Sequence, residues 1–353
     1  MSLLAIAGQE HPLYPKVDVR QYDDARSLYN SHADERDHFV SSHWWRSTLL
    51  GRSDSRTISD AYDVRNGVSF GDLILPQVTE RSLIQLRESH GVFERSARRV
   101  PLQHEMGVIP LEEQAASHYW IENEHAITES EMLFGAAEVH LRKLGVLLHF
   151  TSDLAEDSVV DLAEVIENSI AIEFAKAIDD AAFNGDGTSA YGHQTGAAHA
   201  LHSNAVHTAS VNAPADLTQE DWEQAAQLLQ RFEGEPSWYM HPAIYHRSCL
   251  ADHSGLCSVD QGRRYFMGYP VEFVNVMPST VTSSPETIVA YLGSIRQSAI
   301  FGYKRELRVA LSENQRFEFD SIACRVTQRL CVNWHARGES QRSRAFVALK
   351  TSS

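Results

Sequence analysis

Between Val159 and Phe183 apolar and charged positions alternate with a period close to four. Leu162, Ile166, Ile170, Phe174 and Ile178 recur at every fourth residue, and Val159, Val165 and Ala182 widen the stripe. Glu164, Glu167, Glu173, Lys176 and Asp180 mostly occupy the other side. The pattern predicts an amphipathic helix with one face turned to a core. Asp157 or Ser158 offers an N-cap, so the helix is expected over 158–183. That is about 25 residues and ~37 Å, longer than a compact domain usually needs. It reads as a spine.

The helix stops in "FNGDGT". A calcium loop needs oxygen ligands at positions 1, 3, 5 and 12, with glycine at 6. Setting Asn184, Asp186 and Gly187 at 3, 5 and 6 puts Ala182 at 1 and His193 at 12, and neither supplies a carboxylate. Asn184, Gly185, Asp186 and Gly187 are therefore read as a turn. The glycines permit positive φ, and the Asn and Asp side chains bond their own backbone.

Elsewhere the periods mix. "LILPQVTERSLIQLRES" from Leu73 gives a strand-like start and a short helix, and "ARRVPLQHEMGVIPLEEQAASHYWIENEHAITESEMLFGAAEVHL" gives a long polar pair of strands. The apolar residues of that pair (Val100, Met106, Val108, Ile109, Tyr119, Trp120, Ile121) are too sparse for a core of its own, so it needs another surface to lie on. A strand through Val146, Leu148 and Phe150 precedes the spine. After it come an amphipathic helix in "TQEDWEQAAQLLQRF" and a strand turning into a helix at Pro242. A further strand holds Val271, Phe273 and Val276, and the late strands are "IVAYLGSI", "AIFGYKRELRVALSE" and "FEFDSIACRVTQRLCVNWH". Residues 1–72 lack sustained periodicity, yet Phe39, Trp44, Trp45 and Leu49 each cost roughly 1.5–3 kcal/mol if left in water. That segment is expected to dock as an arm, on the main body or on a neighbouring subunit.

Composition narrows the classes. The 353 residues are 43% hydrophobic and 22% charged, which suits a sizeable globular core. No run approaches the ~20 apolar residues of a membrane span, and the opening "MSLLAIAGQEHPLYPK" has no basic n-region for a signal peptide. A net charge of −16 disfavours nucleic acid wrapped on the surface. Cys249, Cys257, Cys324 and Cys331 form no C-x-x-C pair and fit reduced thiols, with a bridge left open. His193, His199, His202 and His207 lie in a Gly/Ala/Ser-rich stretch without the spacing of a zinc site, and are read as polar loop residues. No nucleophile elbow, P-loop or dinucleotide fingerprint occurs. Catalytic residues, cofactors and metals are therefore expected to be none.

The order of these segments resembles one family. "ITESEMLFGAAEVHLRKLGVLLHFTSDLAEDSVVDL" after the long hairpin, the spine, "FNGDGT", "MHPAIYHRSCLADHSG", "MGYPVEFVNVMP", "YLGSIRQSAIFGYKRELRV" and "RVTQRLCVNWH" are similar to tailed-bacteriophage major capsid proteins of the Hong Kong 97-type fold. The resemblance covers about Leu73 to His335. It departs at His241, where the family usually has Asn before the Pro, and in the longer "SAYGHQTGAAHAL". It implies an α+β fold made of an N-terminal arm (1–72), a peripheral domain (73–92 and 136–205, with the spine at 158–183) and an extended loop (93–135). An axial domain follows at about 206–315, then a peripheral return strand and C-terminal tail (316–353). It also implies a shell of hexamers and pentamers around phage double-stranded DNA, assembled in the host cytoplasm. Partners would be other copies, a portal and scaffold or cement proteins, with no membrane. Loop and arm would reach over neighbours, giving Trp44, Trp45 and Trp120 surfaces to dock on. Some members join a loop lysine to a neighbour's asparagine, but none of the five lysines (Lys16, Lys143, Lys176, Lys304, Lys350) lies at the loop's acidic end, so no such cross-link is expected. The competing readings are an encapsulin-like compartment shell and, from another class, a soluble metal-binding enzyme.

Overall fold

The computed structural model describes residues 73–74, 77–114, 120, 133–151, 162–230, 234–250, 256–282, 285–304, 307–312, 319–338 and 344–353. The expected arm, with Trp44 and Trp45, lies outside the described residues, as do the proposed N-caps Asp157 and Ser158.

Two sheets share one long helix. The six-stranded sheet is built around β14 (Ser321–Trp334). One edge of β14 pairs along ten residues with β5 (Arg142–Thr151). The other edge takes β13 (Arg308–Ser312) and then β12 (Ala299–Tyr303), end to end. β1 (Leu73–Ile74) extends β13, and β2 (Arg98–Pro101) runs parallel to β12. The expected single strand "AIFGYKRELRVALSE" is therefore two strands. The seven-stranded sheet has the order β6 (Val206–Thr208), β15 (Phe346–Lys350), β11 (Ile288–Gly293), β7 (Ser237–Met240), β10 (Tyr269–Phe273), β9 (Arg263–Phe266) and β8 (Cys257–Asp260). Val276, expected within the strand of Val271 and Phe273, lies beyond its end in a turn. Ranges 206–315 and 316–353 each contribute to both sheets.

The described spine helix spans Leu162–Asn184, alongside an earlier helix, α1 (Gln77–His90). Its stripe is where the period placed it: Ile166, Ile170, Phe174 and Ile178 are buried, and the side chain of Leu162 is outside the described residues. The N-terminal half packs on Phe150, Val309, Ile322, Cys324 and Val326 of the first sheet. Ala182 and Phe183 reach Tyr239, Tyr291 and Phe346 of the second. The helix is long because it spans both cores. Two side assignments are corrected. Val165 is 52% exposed instead of widening the stripe, and Glu167 is buried instead of facing solvent.

Candidate assembly surfaces

The segment between α1 and β2 sets how the hairpin leaves the body. There the chain turns at Gly91 into the short helix α2 (Phe93–Ser96), with Phe93 fully buried. Asp179 of the spine accepts from the backbone N–H groups of Val92 (3.0 and 3.2 Å) and Phe93 (2.9 Å). Burial pushes its carboxyl up to about 6, against the opposing pull of those two amides. Arg87 donates to Glu94 at 2.6 Å and to Gln328 of β14, all three buried. Burial raises the Glu94 carboxyl too, with Arg87 opposing it. Arg99 of β2 pairs with Glu88 of α1. A buried charge is tolerable only with such partners. Helix, sheet and hairpin root are thus tied at one polar node. Sequence spacing gave Asp179 only as one of two adjacent carboxylates.

From this root rises a two-stranded ribbon, β3 (Met106–Gln114) with β4 (Leu133–His140), in register from Met106↔His140 to Gln114↔Leu133. It was expected to need another surface to lie on. Its lower half has one, because Ile109, Leu111, Ala137, Val139 and Leu141 pack on Ile300 and Cys331 of the body. The opposite side presents Met106 and Val108, 68% and 66% exposed, and Trp120 beyond the ribbon is 99% exposed. Leaving an indole wholly in water gives up the burial of a large apolar side chain.

The "FNGDGT" segment turns the chain, with two details corrected: Gly185 does not take a positive φ, and Asn184 bonds partners outside the turn. Asp186 accepts from Thr188 N–H at 2.9 Å, Asn184 bonds Asp180 (2.7 Å) and the Val276 carbonyl (2.9 Å), and Gly187 has φ +82°. Gly185 lies against a second pass of the chain, since a Cβ there would stand 2.4 Å from the Ala181 carbonyl and 2.7 Å from that of Gln194. Gln194 in turn accepts from Val332 N–H of β14 at 2.8 Å, a contact no motif announced. The histidines go separate ways. His193 sits at φ 59°, His202 accepts from Asn204 N–H, and His207 lies 3.8 Å from Asp221. Among the described residues no group of three metal-ligating side chains comes together. The cysteine expectation is corrected in part: Cys249 and Cys257 form a disulfide, and Cys324 and Cys331 are buried free thiols that burial pushes up to about 12 and about 11.

Residues 71–333 match the phage capsid family. No curated protein sequence matches the chain. The capsid of an empty GTA particle is similar at 15% identity and TM-score 0.59, over 85% of this chain and 99% of that one. A chain from Mycobacterium phage Adephagia is 12% identical at TM-score 0.55, covering 85% and 98%. One from Microbacterium phage Oxtober96 is 13% identical at TM-score 0.55, covering 85% and 99%.

Proposed function

Because the chain belongs to the phage capsid family, and is a capsid shell protein and not an enzyme, we propose that it assembles as hexamers and pentamers into an icosahedral head enclosing double-stranded DNA. The observation that carries this is the ribbon that leaves the body and ends beside the fully exposed Trp120. Apolar surface held away from its own core is stabilised when another copy covers it. Repetition around a closed shell lets each such junction be weak. On this reading 93–135 is the extended loop, 1–72 is an arm that includes Trp44 and Trp45, and assembly takes place in the host cytoplasm. The partners are further copies, a portal and scaffold or cement proteins. The acidic balance keeps packaged DNA from adhering to the wall without sequence-specific contacts.

The test is the state of the expressed full chain. Elution at the void volume, closed particles under negative stain and a high 260/280 nm ratio are expected of DNA-bearing particles. Shells that carry protein cargo instead of nucleic acid would indicate an encapsulin-like compartment. A stable monomer would refute both.

A further inference from the structure

The Cys249–Cys257 bridge holds one edge of the seven-stranded sheet. Cys249 lies in the last turn of the helix Pro242–Leu250, whose Ile244 and Tyr245 are buried in the core beneath that sheet. Cys257 opens β8, and the two Cα atoms stand 5.9 Å apart. β8 has little else to hold it. It pairs with β9 over four residues, from Cys257↔Phe266 to Asp260↔Arg263, with Gln261 and Gly262 at positive φ in the turn between. Ser258 to Arg264 are all exposed, Val259 at 68%. β9 in turn meets β10 in two pairs, Tyr269↔Phe266 and Pro270↔Tyr265, and a proline has no N–H to give. A two-stranded hairpin with both faces in water is marginal by itself. Phe266 roots β9 in the core, and the sulfur bridge pins β8 to the helix. Opening the bridge therefore loosens the hairpin and leaves the core intact.

A chain made in the host cytoplasm meets glutathione, which keeps thiols reduced, whereas a released particle meets oxidising surroundings. We propose that Cys249 and Cys257 form a redox latch, two thiols while the shell is built and a disulfide once the particle is free. The inference rests on the shell reading above and adds a covalent step that follows assembly. The oxidant is a low-molecular-weight disulfide. One cysteine thiolate attacks it and expels a small thiolate, and the other then attacks the mixed disulfide and expels the second. One S–S bond breaks and one forms. Two electrons pass from the protein to the small disulfide, and the two protons given up by the cysteines end on the expelled thiolates. Both cysteines are only partly buried and adjoin the exposed Leu250 and Ser258, so a small disulfide can reach them. Cys324 and Cys331 do not compete. They are buried in the other sheet, and burial pushes their thiols up to about 12 and about 11, far from the reactive thiolate. An open latch leaves Arg263 and Arg264 free to adjust while subunits are placed, and closing it fixes them.

The test uses the full chain expressed in a reducing cytoplasm. Protein is alkylated with iodoacetamide at lysis, or after incubation with oxidised glutathione, and then digested. Alkylated Cys249 and Cys257 are expected at lysis, and a joined pair lighter by two hydrogens after oxidation. Hydrogen–deuterium exchange over residues 257–266 should be about tenfold slower in the oxidised protein, with the spine helix unchanged. Cys249→Ser with Cys257→Ser should exchange like the reduced protein under both conditions. A bridge already closed at lysis would make it a fixed structural cross-link and overturn the latch. Equal exchange of the hairpin in the two states would overturn it as well. Both measurements are made on wild-type protein, so a variant that fails to fold does not remove the test. Closed particles without the switch would leave the shell reading standing, and a monomer that switches would overturn the shell reading alone.

Discussion

Asp179 turns a packing requirement into a pH dependence. Its carboxyl stands at about 6 in the fold against 3.8 ordinarily, because burial outweighs the two amides it accepts from. Between those values the folded chain holds a proton that the unfolded chain releases. Lowering the pH from 7 towards 4 therefore adds stability through this group, on the order of 1–3 kcal/mol, and the gain is lost as pH rises through 6. Thermal unfolding of Asp179→Asn should show a shallower rise on acidification than wild type. Asp179→Ala should instead cost about 1–3 kcal/mol throughout, because the amides of Val92 and Phe93 lose their acceptor. A pH profile unchanged by Asn would sink this account. The sequence could not single out Asp179 from Asp180, since its partners lie 86 and 87 residues away. Ile170 was legible, because period alone puts it on the inner stripe. Ile170→Ala should lose about 2–5 kcal/mol in denaturant titration, and Ile170→Asp should yield no soluble folded chain, since its charge would be buried without a partner. His241 is intermediate. Its departure from the family's Asn looked like loop detail, yet its ring accepts from Ala243 N–H at 3.1 Å, just ahead of the helix Pro242–Leu250, the capping role Asn also fills.

Elements whose pattern is set by one buried face were readable, and those set by a distant neighbour were not. The spine followed its period. β15 did not, and its residues were assigned to a tail. "FVALK" pairs on both edges, with β6 and β11, and is buried on both faces for most of its length, so no alternation marks it. The hairpin's lower half gained a core that its own sparse apolar residues do not announce, because Ile300 and Cys331 supply it from nearly two hundred residues further along. The turn after the spine separates structural from chemical readings. Gly185→Ala should destabilise strongly, since its Cβ would collide with the Ala181 and Gln194 carbonyls. Asp186→Ala should cost far less, because its carboxylate is exposed and bonds only locally, to Thr188. Chemical denaturation of the two variants decides. If Asp186→Ala proved the more damaging, the turn would be holding more than backbone.

On the scale of the whole molecule, the sheets interleave along the chain. β14 and β5 build one, β15 and β11 the other, and the spine helix crosses beneath both cores. Among the described residues the apolar side chains left uncovered include the ribbon's outer Met106 and Val108 and, beyond it, Trp120. If the first 72 residues serve as an arm across a neighbour, they should act on the assembly and not on the subunit's own core. The two roles predict opposite results for deletion of residues 1–60. An arm lying across a neighbour leaves subunit melting close to wild type but makes shells fall apart at lower denaturant, because each junction loses the burial of Phe39, Trp44, Trp45 and Leu49, roughly 1.5–3 kcal/mol per side chain. An arm folded on its own body lowers subunit melting instead. Shell dissociation followed by light scattering, beside calorimetry of the dissociated subunit, tells them apart. Shells as resistant as wild type would mean that these aromatic residues dock on nothing that matters to assembly.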